Sequence, residues 1–171
     1  MNQNRSKQYL VAMFNFIAFA ILLLLHYTNA LHITTLRANA ITLVPFLVAF
    51  AFFNEEWVSA FTGMAVGIFM DSSSAYFSFF HTVLLMLIGL SASLIAHHFF
   101  NNNVKSAVAF SLIATLFYYG FRWLFFYAID SSVSDSAFYL MYYALPSVIY
   151  TNIFIIPFYY LQRKFYNIKT G

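Results

Sequence analysis

Apolar runs of helix length follow one another along almost the whole chain, and the polar segments between them are short. Charged residues make up 8% of the sequence and hydrophobic residues 63%, whereas soluble domains average about 25% and about 45–50%. A helix that crosses a membrane needs about 20 apolar residues, so a chain of this length accommodates about six spans and no sizeable soluble domain. The sequence therefore predicts an all-α integral membrane protein, built as a single bundle of about six transmembrane helices.

The predicted spans form one domain over residues 1–171 and are separated by short polar segments. We place them at roughly residues 8–28, 38–53, 57–70, 79–100, 104–129 and 137–161. Pro45 falls near the middle of the second span, where neighbouring helices are able to satisfy the carbonyl that a proline leaves unpaired. The third span is short for a hydrocarbon layer about 30 Å thick, so it either stops short inside the protein or is continued by an irregular segment over residues 71–75. Irregular backbone at membrane depth has to be buried in protein or to line a wet cavity.

Basic residues are distributed unequally between the two ends of such a bundle. Six spans place six basic residues at the end that holds both termini, namely Arg5, Lys7, Lys105, Arg163, Lys164 and Lys169. Arg37 is alone at the other end, and Arg122 lies within a span. Because cytoplasmic loops carry the excess of Lys and Arg, we expect both termini to be cytoplasmic. The net charge of +3 is too small and too scattered to indicate a nucleic-acid partner.

Small residues recur every four positions in the third span, at Ser59, Gly63 and Gly67, and Asp71 continues the same spacing. On a helix these four positions form one ridge. A G-x-x-x-G pair in an apolar run lets a second helix approach the backbone closely. The ridge is therefore either a packing groove inside the bundle or a groove for a partner helix. On this basis we expect alanine at Gly67 to be tolerated and leucine to disrupt packing.

Two charged residues, Asp71 and Arg122, lie within or beside apolar spans, where a charge is a functional-site hypothesis by default. With both termini cytoplasmic, the third and fifth spans run in the same direction and bring the two charges to similar depth. A buried arginine is costly alone, so we predict a buried ion pair between them. The alternative is that the Arg122 side chain extends to the membrane interface and that Asp71 lies in the boundary layer.

No set of catalytic residues is recognisable in the chain, which contains neither G-x-S-x-G, nor H-E-x-x-H, nor a phosphate-binding loop. The absence of cysteine excludes disulfides, thiolate metal sites and cysteine nucleophiles. His97 and His98 are adjacent and point to different helix faces, and His81 stands alone in the sequence. We therefore expect no catalytic residues, no metal site and no cofactor.

The order of these features resembles that of the MreD family of rod-shape-determining membrane proteins. The resemblance is carried by Pro45 and the apolar residues after it, by the pattern from Gly63 through Gly67 to Asp71, and by Gly89 in the next span. It continues in the run from Tyr118 to Phe126, YYGFRWLFF, and from Tyr143 through Pro146 and Pro157 to the basic tail. It covers roughly residues 45–164. The chain departs from the family after Asp71, where SSSAYFS stands in place of a segment with a glycine.

The resemblance implies a non-enzymatic scaffold in the bacterial cytoplasmic membrane, within the elongasome that guides lateral peptidoglycan synthesis and determines rod shape. The expected partner is MreC, in a wider assembly with MreB, RodA, a class B penicillin-binding protein and membrane lipid. The family distantly resembles the six-helix substrate-binding components of energy-coupling-factor transporters. A small-molecule-binding subunit of such a transporter is therefore the alternative function, and a membrane-embedded enzyme is a weaker third.

Overall fold

The computed structural model describes residues 2–28, 32–33, 38–39, 41–72, 79–98, 103–125 and 140–170. The helices in chain order are α1 (Asn2–Tyr27), α2 (Leu43–Ala51), α3 (Glu56–Ser72), α4 (Phe80–His98), α5 (Val104–Trp123), α6 (Leu145–Ile153) and α7 (Ile155–Thr170). A π-helical segment, Leu140–Ala144, leads into α6, and β1 (His32–Ile33) pairs with β2 (Ala38–Asn39) over two residues. The predicted loop after Asp71, at residues 73–78, and the predicted span ends at 129 and 137 lie outside the described residues.

Apart from that two-residue pairing, the described elements are helical, as the apolar runs predict. Among the residues that the structure describes, four helical segments are long and apolar enough to cross a membrane: Ser6–Tyr27, Phe80–His98, Val104–Trp123 and Met141–Ile168. The large apolar side chains on their outer faces are exposed, among them Phe16, Val83, Ile113 and Ile149. Apolar surface of this extent on four long helices indicates a membrane protein, in which lipid covers these faces.

α2 is the centre of the bundle and is shorter than predicted. All nine of its residues are buried, because its sequence LVPFLVAFA is apolar on every face and other helices surround it. The predicted span began at residue 38, but Ala38 and Asn39 pair with β1 and the helix begins at Leu43. Pro45 therefore lies in the first turn, where its missing N–H breaks no helical hydrogen bond.

Aromatic contacts hold α1 and α7 against this central helix, and an amide pair joins α1 and α7 to each other. The Phe46 ring of α2 meets Phe19 of α1 edge-on, with ring centroids 4.6 Å apart, and meets Phe158 of α7 at 5.1 Å. The Gln162 amide of α7 donates to the Asn15 amide oxygen of α1 over 2.7 Å, and both side chains are buried. Asn15, the polar residue that interrupts the first apolar run, thus joins the first helix to the last.

The two prolines of the last predicted span fall where its helix is irregular. The π-helical segment ends directly before Leu145, and Pro146 occupies the first turn of α6. The helix breaks again at Phe154, between α6 and α7, three residues before Pro157. A proline cannot donate to the carbonyl four residues earlier and its ring crowds that carbonyl, which accounts for irregular turns just before each one.

Candidate functional site

The small-residue ridge of α3 lies against α4, and these two antiparallel helices form the most extensive helix contact in the described part of the chain. A Cβ atom built on Gly63 would lie 2.8 Å from the carbonyl carbon of Leu85 and would overlap its oxygen. A Cβ atom on Gly67 would lie 2.6 Å from the backbone nitrogen of Thr82 and would overlap its Cα. Backbone atoms cannot move aside as a flexible side chain does, so only glycine fits at these two positions.

The contact continues at the other end of the two helices, where the glycine is on α4. A Cβ atom on Gly89 would lie 2.5 Å from the carbonyl oxygen of Ser59, the first residue of the ridge. Ser59 is fully buried, and its hydroxyl donates to the Glu55 carbonyl in its own helix. The ridge is therefore occupied within the bundle by α4 along its whole length, from Ser59 to Asp71. The structure assigns it to packing inside the protein.

Asp71 lies in the last turn of α3 and caps the first turn of α4. Its Oδ1 accepts the backbone N–H of His81 over 3.1 Å, and its Oδ2 accepts the backbone N–H of Thr82 over 2.8 Å. The Thr82 hydroxyl also donates to Oδ2, over 2.7 Å. The first N–H groups of a helix have no intrahelical partner, and a cap normally comes from the residue just before the helix. Here a neighbouring helix supplies it.

The imidazole of His81 adds a fourth donor to the same carboxylate. His81 Nδ1 lies 2.8 Å from Asp71 Oδ1, and since an ionised carboxylate only accepts, Nδ1 carries the proton. A carboxylate offers about four lone-pair sites, and these four donors engage both oxygens. The negative charge also lies at the positive end of the α4 dipole. We call Asp71, His81 and Thr82 the α3–α4 clamp.

Arg122 lies near the end of α5 on the same side of the bundle as the clamp. It is half-buried and lies near His81 and near His26 at the end of α1. The hydroxyl of Tyr27, next to His26, donates to the Phe69 carbonyl and ties the end of α1 to the end of α3. The ends of α1, α3 and α5 thus meet beside the start of α4. The ion pair between Asp71 and Arg122 stays a prediction.

Sequence reasoning missed His81 and Thr82, which are the partners that the described contacts give to Asp71. The relevant signal was present, because Asp71 ends one predicted helix and His81 and Thr82 begin the next. When two consecutive helices are antiparallel, the end of the first lies beside the start of the second, so an acid there has unpaired N–H groups within reach. His81 stood alone in the sequence only because its partner is on another helix.

Comparisons of the chain with protein-family models, with curated proteins and with solved structures find no match. The clamp uses its carboxylate to hold two helix ends together, with both oxygens accepting hydrogen bonds. A general base needs a free lone pair near a substrate, whereas this carboxylate is occupied by its own protein.

Proposed function

We propose that the chain is a non-enzymatic scaffold of the bacterial cell-elongation machinery, of the MreD type, which binds MreC in the cytoplasmic membrane. The observation that supports this most is the α3–α4 clamp. The acid that the sequence singles out is engaged by four donors from its own protein. Such use of a charge favours a rigid assembly surface over a reaction centre. The order of motifs from Pro45 to Lys164 supports the family assignment.

The proposal includes six spans, of which α2 and α3 are the two shorter ones. α3 has 17 residues, or about 26 Å at 1.5 Å per residue, which nearly matches the hydrocarbon layer. α2 has nine residues and is too short to cross alone. Because every residue of α2 is buried, its surroundings are protein rather than lipid, and irregular backbone next to it is tolerated at membrane depth.

Topology is the first expected result. Reporter fusions at Gly171 and within residues 130–135 are expected to give opposite signals, with Gly171 cytoplasmic, because basic residues concentrate at the end that holds the termini. Alkaline phosphatase and green fluorescent protein fused at the same two positions provide the paired measurement. An extracytoplasmic C-terminus would contradict the six-span arrangement.

Partner recovery from native membranes tests the function itself. We expect the tagged chain to co-purify with MreC and with RodA and its penicillin-binding partner, and its depletion to turn rods into round cells. Gly67→Leu, which cannot pack against Thr82, is expected to lose both partner recovery and shape complementation. Gly120→Ala is the matched control, because nothing lies within 4 Å of its Cβ position. Rods that persist after depletion would contradict the proposal.

The alternative function is a substrate-binding subunit of an energy-coupling-factor-type transporter. A specific observation favours it, namely a row of buried polar side chains between α5 and α6. Such a subunit requires an enclosed cavity with converging polar groups. The cleft described beside Asn15 and Gln162 is only the size of a water molecule. Recovery of a transporter ATPase instead of cell-wall proteins in the same purification would establish this alternative.

A further inference from the structure

A stripe of polar side chains runs along the buried face of α5. Ser111, Thr115 and Tyr118 follow one another at intervals of four and three residues, which places them on one helix face. All three are fully buried. Polar side chains inside a membrane bundle are costly unless each of their donors and acceptors has a partner. Each polar atom of this stripe therefore needs a hydrogen-bond partner inside the bundle.

Asn152 of α6 meets the stripe, and its contacts fix the orientation of its amide. Its Nδ2 donates to the Val148 carbonyl over 2.9 Å and to the Thr115 hydroxyl oxygen over 3.3 Å. The Thr115 hydroxyl donates to the Ser111 carbonyl, so toward Asn152 it acts as an acceptor. A flipped amide would aim Oδ1 at the Val148 carbonyl, acceptor against acceptor. The amide oxygen of Asn152 must therefore be the atom that points away from both.

Within the described part of the chain, Asn152 Oδ1 and Ser111 Oγ are buried and have no hydrogen-bond partner in the protein. An acceptor and a hydroxyl left unpaired inside a bundle carry the full penalty of desolvation. Lipid chains offer neither donors nor acceptors. We propose that Ser111 of α5 and Asn152 of α6 form an internal hydration site, which binds water in the interior of the membrane bundle.

Water has the chemistry that these two atoms require. It donates to Asn152 Oδ1, and it donates to or accepts from Ser111 Oγ, as buried waters do for otherwise unsatisfied groups. The stripe extends toward the clamp, because the ring centroids of Tyr118 and His81 are 6.0 Å apart. From Ser111 to Tyr118 is about 10 Å along the helix. The stripe thus extends from the hydration site to the His81 ring of the clamp, a feature that the scaffold role does not require.

Water-edited solid-state NMR of the unsubstituted protein in lipid bilayers tests the proposal directly. Magnetisation transferred from water is expected to build up at Ser111 and Asn152 at least threefold faster than at Ala114. Ala114 is the matched reference, since it is buried in the same helix less than one turn away but carries no polar group. Equal, slow build-up at all three residues would overturn the proposal.

Substitution provides a second measurement. Ser111→Ala is expected to slow the transfer to Asn152 at least twofold, because the bound water loses one of its partners. Ser91→Ala is the control, as the Ser91 hydroxyl already donates to the Leu87 carbonyl, and it is expected to leave that transfer unchanged. A transfer to Asn152 that is the same in both variants would show that Ser111 does not hold the water and would contradict the site as placed.

Discussion

Replacing Gly67 with alanine is expected to destabilise the protein by about 3 kcal/mol, at the upper end of what an added methyl group costs in a packed interior. The new Cβ atom would lie 2.6 Å from the backbone nitrogen of Thr82 and would overlap its Cα. No rotamer change relieves a clash with backbone, so α3 and α4 must separate. This corrects the expectation from the sequence that alanine is tolerated there, because the spacing indicates close approach but not how close.

Thermal unfolding of the purified protein in detergent measures the effect, with Gly120→Ala as the control. Gly120 also lies within a helix, but nothing is within 4 Å of its Cβ position. Alanine there is expected to be neutral or to stabilise by up to about 1 kcal/mol, from helix propensity alone. Equal unfolding temperatures for the two variants would show that α3 and α4 do not approach each other closely at Gly67.

Replacing Asp71 with alanine is expected to cost about 3 kcal/mol and to loosen the start of α4. The substitution leaves the N–H groups of His81 and Thr82 without their acceptor, and hydrogen bonds to charged groups contribute about 1.5–3 kcal/mol each. Thr82→Val replaces the hydroxyl with a methyl group and leaves the shape of the side chain similar. It is expected to cost about 1–2 kcal/mol. Either substitution alone already breaks the hydrogen bond between the Thr82 hydroxyl and Asp71, so the two costs are expected not to add.

A double-mutant cycle of Asp71→Ala and Thr82→Val, measured by thermal unfolding, gives the coupling energy of that contact. We expect about 1 kcal/mol. Hydrogen exchange at the His81 and Thr82 amides provides a local measurement, since loss of the cap exposes these amides first. Additive costs, or unchanged exchange at both amides in Asp71→Ala, would show that the carboxylate does not hold the helix end.

The same cycle with Arg122→Ala tests the ion pair predicted from the sequence. Arg122 lies near His81, which donates to Asp71, so removal of either charge affects the same end of the bundle. A coupling energy above about 1 kcal/mol is expected if the two charges stabilise each other. Coupling near zero would show that Asp71 serves α4 alone and that Arg122 acts elsewhere.

The sequence by itself determined the class of the protein and the faces of its helices. Apolar runs with few charges predict membrane helices, because backbone polar groups in lipid must be satisfied within each segment. The all-apolar sequence of α2 is typical of a helix surrounded by protein or lipid, and the structure places all of it in the centre. The four-residue spacing put Ser59, Gly63, Gly67 and Asp71 on one face, since helix periodicity is a local property.

Only the tertiary structure decided what those faces contact. The start of α2 shifted to Leu43 because residues 38–39 pair with β1, a contact that local sequence does not encode. The partners His81 and Thr82 come from another helix, and so does the amide of Asn152 beside Thr115. Helix periodicity depends on residues a few positions apart, whereas the pairing of helices depends on how the faces of all the helices are buried together. The sequence therefore indicates that a charge or an amide in an apolar span needs a partner, and only the packed bundle shows which residue that partner is.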